Sequence, residues 1–394
     1  MISKYPPIEG GVSSDNYWLA RELGRRGHKI FFITNAFEIE QDYRMVINQK
    51  DKRYYQPKNV QVYSTYKDFF SPIPRSEYYS ERLTDLAIRI IKDNEIDLIY
   101  SHYLLPYSYV GLVVQKLLSI RHVVRHAGSD LGRIYKSKFM KNTTHAIFEN
   151  ADTIFSGGLI YRVLEELPDE KKIYQVKTPL VNTAFFHDKV PPYNLKLLNI
   201  SASSRVFAYF GKVSELKKTH NLLKAAAKIR DKDFVILMVS GSGKIAYRLK
   251  EFSIKIGLKD KCRFINFQGP WRIPMLMRAA DCVVCPENDE SKFLVGGAHY
   301  PKIAREAMAC GKCVIIGDKV AEKGMYSKLK NNQDIICCNT DNIDQFSEIL
   351  KQIVDTPKLS QNIGRQASKF SMMNENFVRD VDRIEKGFKK IVTN

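Results

Sequence analysis

Short, uninterrupted apolar runs separated by helix-length amphipathic segments constrain this chain more than any other feature. In the first half the runs are KIFFIT (29–34), VQVYS (60–64), IDLIYS (96–101), HVVRH (122–126), TIFS (153–156) and IYQVK (173–177). Helical patterns lie between them, at 16–26, 80–93, 109–119 and 159–166. The alternation restarts with RVFAYFG (205–211), FVILMVSG (234–241), RFINFQG (263–269), CVVCP (282–286), CVIIGD (313–318) and IICCN (335–339). A strand that is apolar on both sides needs cover on both sides, and intervening helices make the pairing parallel. Two such blocks predict an α/β chain of two Rossmann-like, doubly wound parallel-sheet domains. The expected boundaries are 1–185, then a linker at 186–204 with two adjacent prolines and no periodicity, then 205–370, and a charged terminal helix at 371–394.

No apolar run reaches the ~18 residues that cross a bilayer. The first 35 residues lack the apolar h-region and cleavage site of a secretory leader, so a cytoplasmic protein is expected. The net charge of +19 calls for an anionic partner. The basic residues are spread along the chain with no RNP-like, zinc-finger or basic-heptad pattern, which argues against nucleic acid. An anionic membrane face or an acidic acceptor fits better, with RIYKSKFMK (133–141) as the docking segment. All seven cysteines lie beyond residue 261. Cys282/Cys285 and Cys310/Cys313 have CxxC spacing, but they sit in or beside apolar runs and read as buried residues rather than zinc ligands.

The stretch YPPIEGGV stands directly before a helix expected to begin near Asp15, capped by Ser13 or Ser14 and stopped at Gly27. Gly10 and Gly11 there let backbone amides approach a phosphate at the helix's positive end. Only Met1 to Ser3 precede Lys4, fewer than the about five or six residues of a full first strand, so the expectation is either a misplaced start codon or a truncated strand.

Taken in order, YPPIEGGV, RGHKIFFIT, HAGSD, GK…KK ahead of NLLKAA, VSGSG and EAMACGKCVI run through nearly the whole chain. This series resembles the GT-B glycosyltransferases, specifically the retaining enzymes of family 4; the PPxxGGV loop and the EAMACG segment are its most specific parts. The resemblance implies an active-site cleft, a nucleotide diphosphate sugar held mainly by the second domain and an acceptor, glycan or lipid-linked, held mainly by the first. It also implies a last helix that crosses back to the first domain. Lys212 with Lys218 or Lys217, the register being ambiguous by one, would grip the diphosphate; the family's glycine after the second lysine is absent. His126 would lie beside the reacting sugar, and Ser129 and Asp130 would contact the acceptor or shape the loop. Gly241 and Gly243 of VSGSG join Gly10 and Gly11 as donor-binding glycines. Glu306 matches the second acid of the family's paired glutamates, which binds ribose hydroxyls. The first acid is replaced by Ala298, leaving Glu287, Glu290 or the amides of Gly296, Gly297 and Ala298 to hold the donor sugar; Pro301 and Lys302 match a variant found in some relatives. His28, His102 and His122 read as structural.

No metal or other cofactor is expected. The DxD matches, Asp231-Lys232-Asp233 and Asp380-Val381-Asp382, lie ahead of a strand and in the terminal helix. No carboxylate pair suggests a double-displacement nucleophile, so the resemblance implies front-face attack with the leaving phosphate taking the acceptor's proton. Two other readings of the same motifs are a sugar-nucleotide 2-epimerase, which needs further acids and histidines around the donor, and a nucleotide-sugar-binding protein without transferase activity.

Overall fold

The computed structural model describes residues 1–67, 78–134, 137–157, 160–163, 169–177, 180–288 and 301–393. The apolar runs become strands β1 (Ile2–Ser3), β2 (Ile30–Phe37), β3 (Val60–Tyr66), β4 (Ile99–His102), β5 (His122–Arg125), β6 (Thr153–Ser156) and β7 (Ile173–Gln175). The second block gives β8 (Arg205–Phe210), β9 (Phe234–Val239), β10 (Cys262–Ile265), β11 (Cys282–Cys285), β12 (Cys313–Gly317) and β13 (Ile336–Cys338). Among the described residues these form two parallel sheets, ordered β3-β2-β1-β4-β5-β6-β7 and β10-β9-β8-β11-β12-β13. The continuous apolar runs at the centre are buried throughout: every residue of β4, β5, β9, β11 and β12 is inside.

Both sheets are wound alike. The chain starts at a central strand, adds strands on one side, then crosses over and adds the rest on the other. The reversal falls between β1 and β4 in the first sheet and between β8 and β11 in the second. Such switch points open a crevice at the carboxyl ends of the strands.

The cysteines lie in the packing between strands. Cys282 and Cys313 are neighbours in the β11–β12 register and fully buried, as are Cys285 and Cys310. Burial pushes the Cys282, Cys285 and Cys310 thiols up, against the thiolate form that a metal requires. The DxD acids have ordinary duties: Asp233 accepts from Ser204 at 2.7 Å, and Asp382 pairs with Arg26 at 2.6 Å.

The opening helix differs from expectation. It runs Gly11–Arg25 with Gly10, at φ +112°, as its N-cap residue, and neither Ser13 nor Ser14 caps it. The helix begins earlier because Gly10 supplies a positive φ that a residue with a side chain resists, and Asp15 is thereby carried inside. The terminal helix Phe377–Val392 returns to the first domain. Phe388 stacks on Phe155 with ring centroids 5.3 Å apart and meets Tyr100 edge-on at 5.4 Å. A Cβ on Gly387 would lie 2.7 Å from the Phe155 ring, so only glycine allows this approach.

Among the described residues several polar ties join the domains, and three of them centre on acids no more than 5% exposed. Asp51, 2% exposed, accepts from both Trp271 Nε1 (3.1 Å) and Arg272 Nη2 (2.8 Å). Glu375, beside the break before the terminal helix, takes a two-pronged bond from Arg305 (2.6 and 2.8 Å) and one from Lys177 (2.6 Å). The third tie lies in the cleft.

Candidate active site

The two switch points face each other, and the residues at their strand ends make the site. On the first domain the chain leaves β1 through Lys4 and the YPPIEGG loop. That loop is pinned by a second segment: Met45 N donates to Pro7 O (2.6 Å) and Glu9 N to Tyr43 O (3.0 Å). Glu9 is 8% exposed. Gly10 and Gly11 are exposed, and nothing lies within 4 Å of where a Cβ would stand on either. They stand at the start of a long helix, whose first amides have no intrahelical partner.

On the second domain β8 ends in Gly211, at φ +145°, and Lys212 follows. The Lys212 carbonyl accepts from Tyr209 Oη at 2.5 Å, which fixes the turn. Its ammonium reaches across to Glu9 at 2.5 Å and lies 4.9 Å from the Tyr43 ring centre. Partial desolvation at this contact, then repulsion from Lys4 and Lys217, pulls Lys212 down to about 8, while its side chain stays 52% exposed to solvent. Lys4 and Lys217 are thus the cations whose charge reaches Lys212.

Backbone conformation distinguishes Lys217 from Lys218. Lys218 adopts φ +50°, ψ +28°, the left-handed conformation usually taken by glycine. Its side chain pairs with Asp341 at 2.7 Å. Lys217 turns to Glu287, at the end of β11, at 2.8 Å. Of the two, Lys217 is the one whose charge reaches Lys212.

His126 is 1% exposed and shares a 2.9 Å hydrogen bond with Ser156 through Nε2. Burial, then Arg125, brings it down to about 4, so the ring is neutral at physiological pH. Asp130 does not reach outward. It is fully buried; one carboxylate oxygen accepts from the amides of Ala127 (2.9 Å) and Leu131 (2.7 Å), the other from Leu104 (2.8 Å). Its acceptor sites are taken up in shaping the HAGSD loop. Ser129, half-buried, begins the following helix.

Gly241 and Gly243 face protein. A Cβ on Gly241 would stand 2.6 Å from the Asp42 carbonyl oxygen, and one on Gly243 2.5 Å from the Asp42 carboxylate. They are small so that the 40–51 segment of the first domain can dock. Gly296, Gly297, Ala298 and Glu290 lie outside the described residues.

Glu306 is 3% exposed, in the helix Lys302–Ala309. Lys302 on the same helix lies 3.2 Å from Glu306 and 2.7 Å from Asp15 of the first domain. Arg125 stands 3.7 Å from Asp15 on its other side. This buried four-charge cluster is the third tie between domains. Sequence reasoning placed Asp15 in its own helix's first turn and named Lys302 only as a motif match; nothing in the local pattern indicates a pairing across 287 positions. His102, read as structural, is another case. Asn16 Nδ2 donates to Ser3 Oγ and Lys4 O, leaving Asn16 Oδ1 to accept from His102 Nδ1 at 3.0 Å. His102 Nε2 is thus an unprotonated, fully buried acceptor.

Two facing Rossmann-like domains, a cleft at their switch points and a terminal helix returning to the first define the GT-B class of glycosyltransferases. The family described as Glycosyltransferase Family 4 matches residues 9–155, and that described as Glycosyl transferases group 1 matches residues 195–370. The chain belongs to this glycosyltransferase family. It is 22% identical over 372 residues to N-acetyl-alpha-D-glucosaminyl L-malate synthase of Bacillus anthracis, covering 93% of this chain and 90% of that one. Its fold is similar to that of sucrose-phosphate synthase from Thermosynechococcus elongatus (TM-score 0.71, 15% identity, 100% and 96% of the two chains). It is also similar to HepE of Anabaena in complex with UDP and glucose (TM-score 0.70, 14% identity, 98% of each chain).

Proposed function

We propose that this glycosyltransferase moves a sugar from a nucleoside diphosphate sugar to a hydroxyl of a glycan or lipid-linked acceptor, with retention of configuration and without a divalent ion. The single observation that carries the reading is the Lys212 ammonium, half-exposed just past the end of β8, reaching across to Glu9 at 2.5 Å beside the exposed Gly10 and Gly11. An ammonium in a cleft is complementary to a diphosphate, whose negative charge grows as it leaves. HepE, solved with UDP and glucose, supports a nucleotide-linked donor.

In the reaction, the bond from the anomeric carbon to the β-phosphate oxygen breaks while the acceptor oxygen bonds that carbon on the same face. The acceptor's proton goes to the departing phosphate oxygen. Lys212 and Lys217 hold the phosphates, and the Gly10 and Gly11 amides add donors from the opposite wall. His126, neutral and steadied by Ser156, offers a hydrogen bond to a hydroxyl of the reacting sugar. Glu306, engaged with Lys302, contributes to holding the domains together.

The acceptor is presented at an anionic membrane face. Phe139, 91% exposed, and Met140 stand between Lys138 and Lys141, an apolar tip flanked by cations. Among the described residues no helix is long and apolar enough to cross a membrane.

Incubation with UDP-, GDP- and ADP-sugars, with and without EDTA, tests the donor and the metal; NMR of the product anomer tests retention. An inverted anomer, a 2-epimer without transfer, or activity abolished by EDTA and restored by Mg²⁺ overturns the corresponding part.

A further inference from the structure

Among the described residues, Glu9 is the acid of the first domain seated directly on the proposed diphosphate grip. Its carboxylate is 7% exposed while the Lys212 side chain is 52% exposed, so the carboxylate is held and the ammonium is reachable by a ligand. The holding comes from the backbone. Glu9 N is bonded to Tyr43 O, Ile8 pairs with Arg44, and Tyr43 itself lies under the Lys212 ammonium. Two neighbouring segments of the first domain thus bring a carboxylate and an aromatic face to one cation of the second. Lys4 and Lys217, close enough to repel Lys212, add positive potential around the same point.

A diphosphate brings its own negative charge to that ammonium. Two anions cannot both lie at contact distance from one ammonium without repelling each other. We propose that Glu9 is an affinity-setting residue of the donor site: its carboxylate competes with the donor's phosphates for Lys212, and donor loading moves Lys212 from Glu9 to phosphate. The inference rests on the proposed role of Lys212. It assigns Glu9 a part that Gly10 and Gly11 beside it do not have, because it opposes binding where they favour it. A purely structural carboxylate at this position would influence folding and leave nucleotide affinity unchanged.

The test is calorimetric titration of UDP, GDP and ADP, with inorganic pyrophosphate as an arm independent of the base. The proteins are wild type, E9Q, K212M and E9Q/K212M, each with its melting temperature measured to establish folding. The expected result for the nucleotide that binds is about two- to fivefold tighter binding to E9Q, the size of a partly exposed ion pair. K212M binds more weakly, and E9Q gains nothing in the K212M background. If K212M weakens binding while E9Q binds equally or more weakly, the competition is overturned and the diphosphate grip stands. If K212M binds as tightly as wild type, the grip falls and the role of Glu9 falls with it. E9D, which shortens the reach, separates charge from contact: affinity between wild type and E9Q is expected, and affinity below wild type counts against the proposal.

Discussion

Replacing Lys302 by methionine keeps the length of the side chain and removes its charge from the cluster that joins the domains. Lys302 is 8% exposed, and Asp15 and Glu306 are 3% exposed, so none of the three charges is well solvated. Burial lowers the lysine's pKa, but Asp15 and Glu306 raise it more, and the net shift is upward; the ammonium is charged at neutral pH. In K302M two buried carboxylates are left with Arg125, 3.7 Å from Asp15, as the nearest cation to that acid in the cluster. Removing one partner of a buried ion pair costs about 3–5 kcal/mol. Unfolding entropy of about 2.1 cal/mol/K per residue gives, over 394 residues, about 0.8 kcal/mol/K, so the expected drop in Tm is about 4–6 °C. Differential scanning calorimetry at pH 7.5 measures it. In a D15N background the same lysine change is expected to cost much less, since the two residues act as one unit. A K302M protein melting within about 1 °C of wild type refutes the reasoning, as does simple addition of the two losses.

The lysine register is tested by K217M and K218G: K217M is expected to lose on the order of 10²-fold in kcat/KM, as for a group aimed at developing charge. K218G is expected to keep turnover within about twofold and to gain up to about 1 kcal/mol in stability from relief of the left-handed conformation, measured by calorimetry. Acid lability follows from His102, His122 and His126, which burial holds well below, at about 3 and at about 4 respectively. The unfolded chain binds these protons first, so stability is full above the unfolded value of about 6.5 and falls toward pH 4, each histidine costing about 1.4 kcal/mol at pH 5.5. H122N should flatten that fall in Tm, and an unchanged profile would contradict it. For the membrane face, F139D is expected to reduce co-sedimentation with phosphatidylglycerol vesicles several-fold, and salt to weaken wild-type binding; salt-insensitive binding contradicts the electrostatic part.

What was legible in the sequence was what depends on local pattern. Runs such as FVILMV and CVVC announce strands covered on both faces, and the structure buries every residue of both. Lys212 was singled out because a strand end and a glycine precede it, and the structure puts its ammonium at the contact with Glu9 of the first domain. The choice between Lys217 and Lys218 stayed open in the sequence, because spacing carries no φ angle and the missing glycine added to the ambiguity; the left-handed backbone of Lys218 is visible only in the fold. Gly241 and Gly243 were read as donor contacts because a glycine's purpose is invisible without its neighbour, here Asp42. Asp130 looked available until the amides of Ala127, Leu131 and Leu104 were seen to occupy it. Glu9, Asp15 and Asp51 find their partners in the other domain, at separations about which spacing carries no information.

The returning helix bears on how the protein is made. Phe155 and Tyr100 receive Phe388 as their lid, yet that residue leaves the ribosome roughly 230 positions after Phe155. At ~5–20 residues per second, the nascent first domain waits on the order of 10–50 s with this aromatic surface bare. During synthesis that surface is a natural resting place for a chaperone.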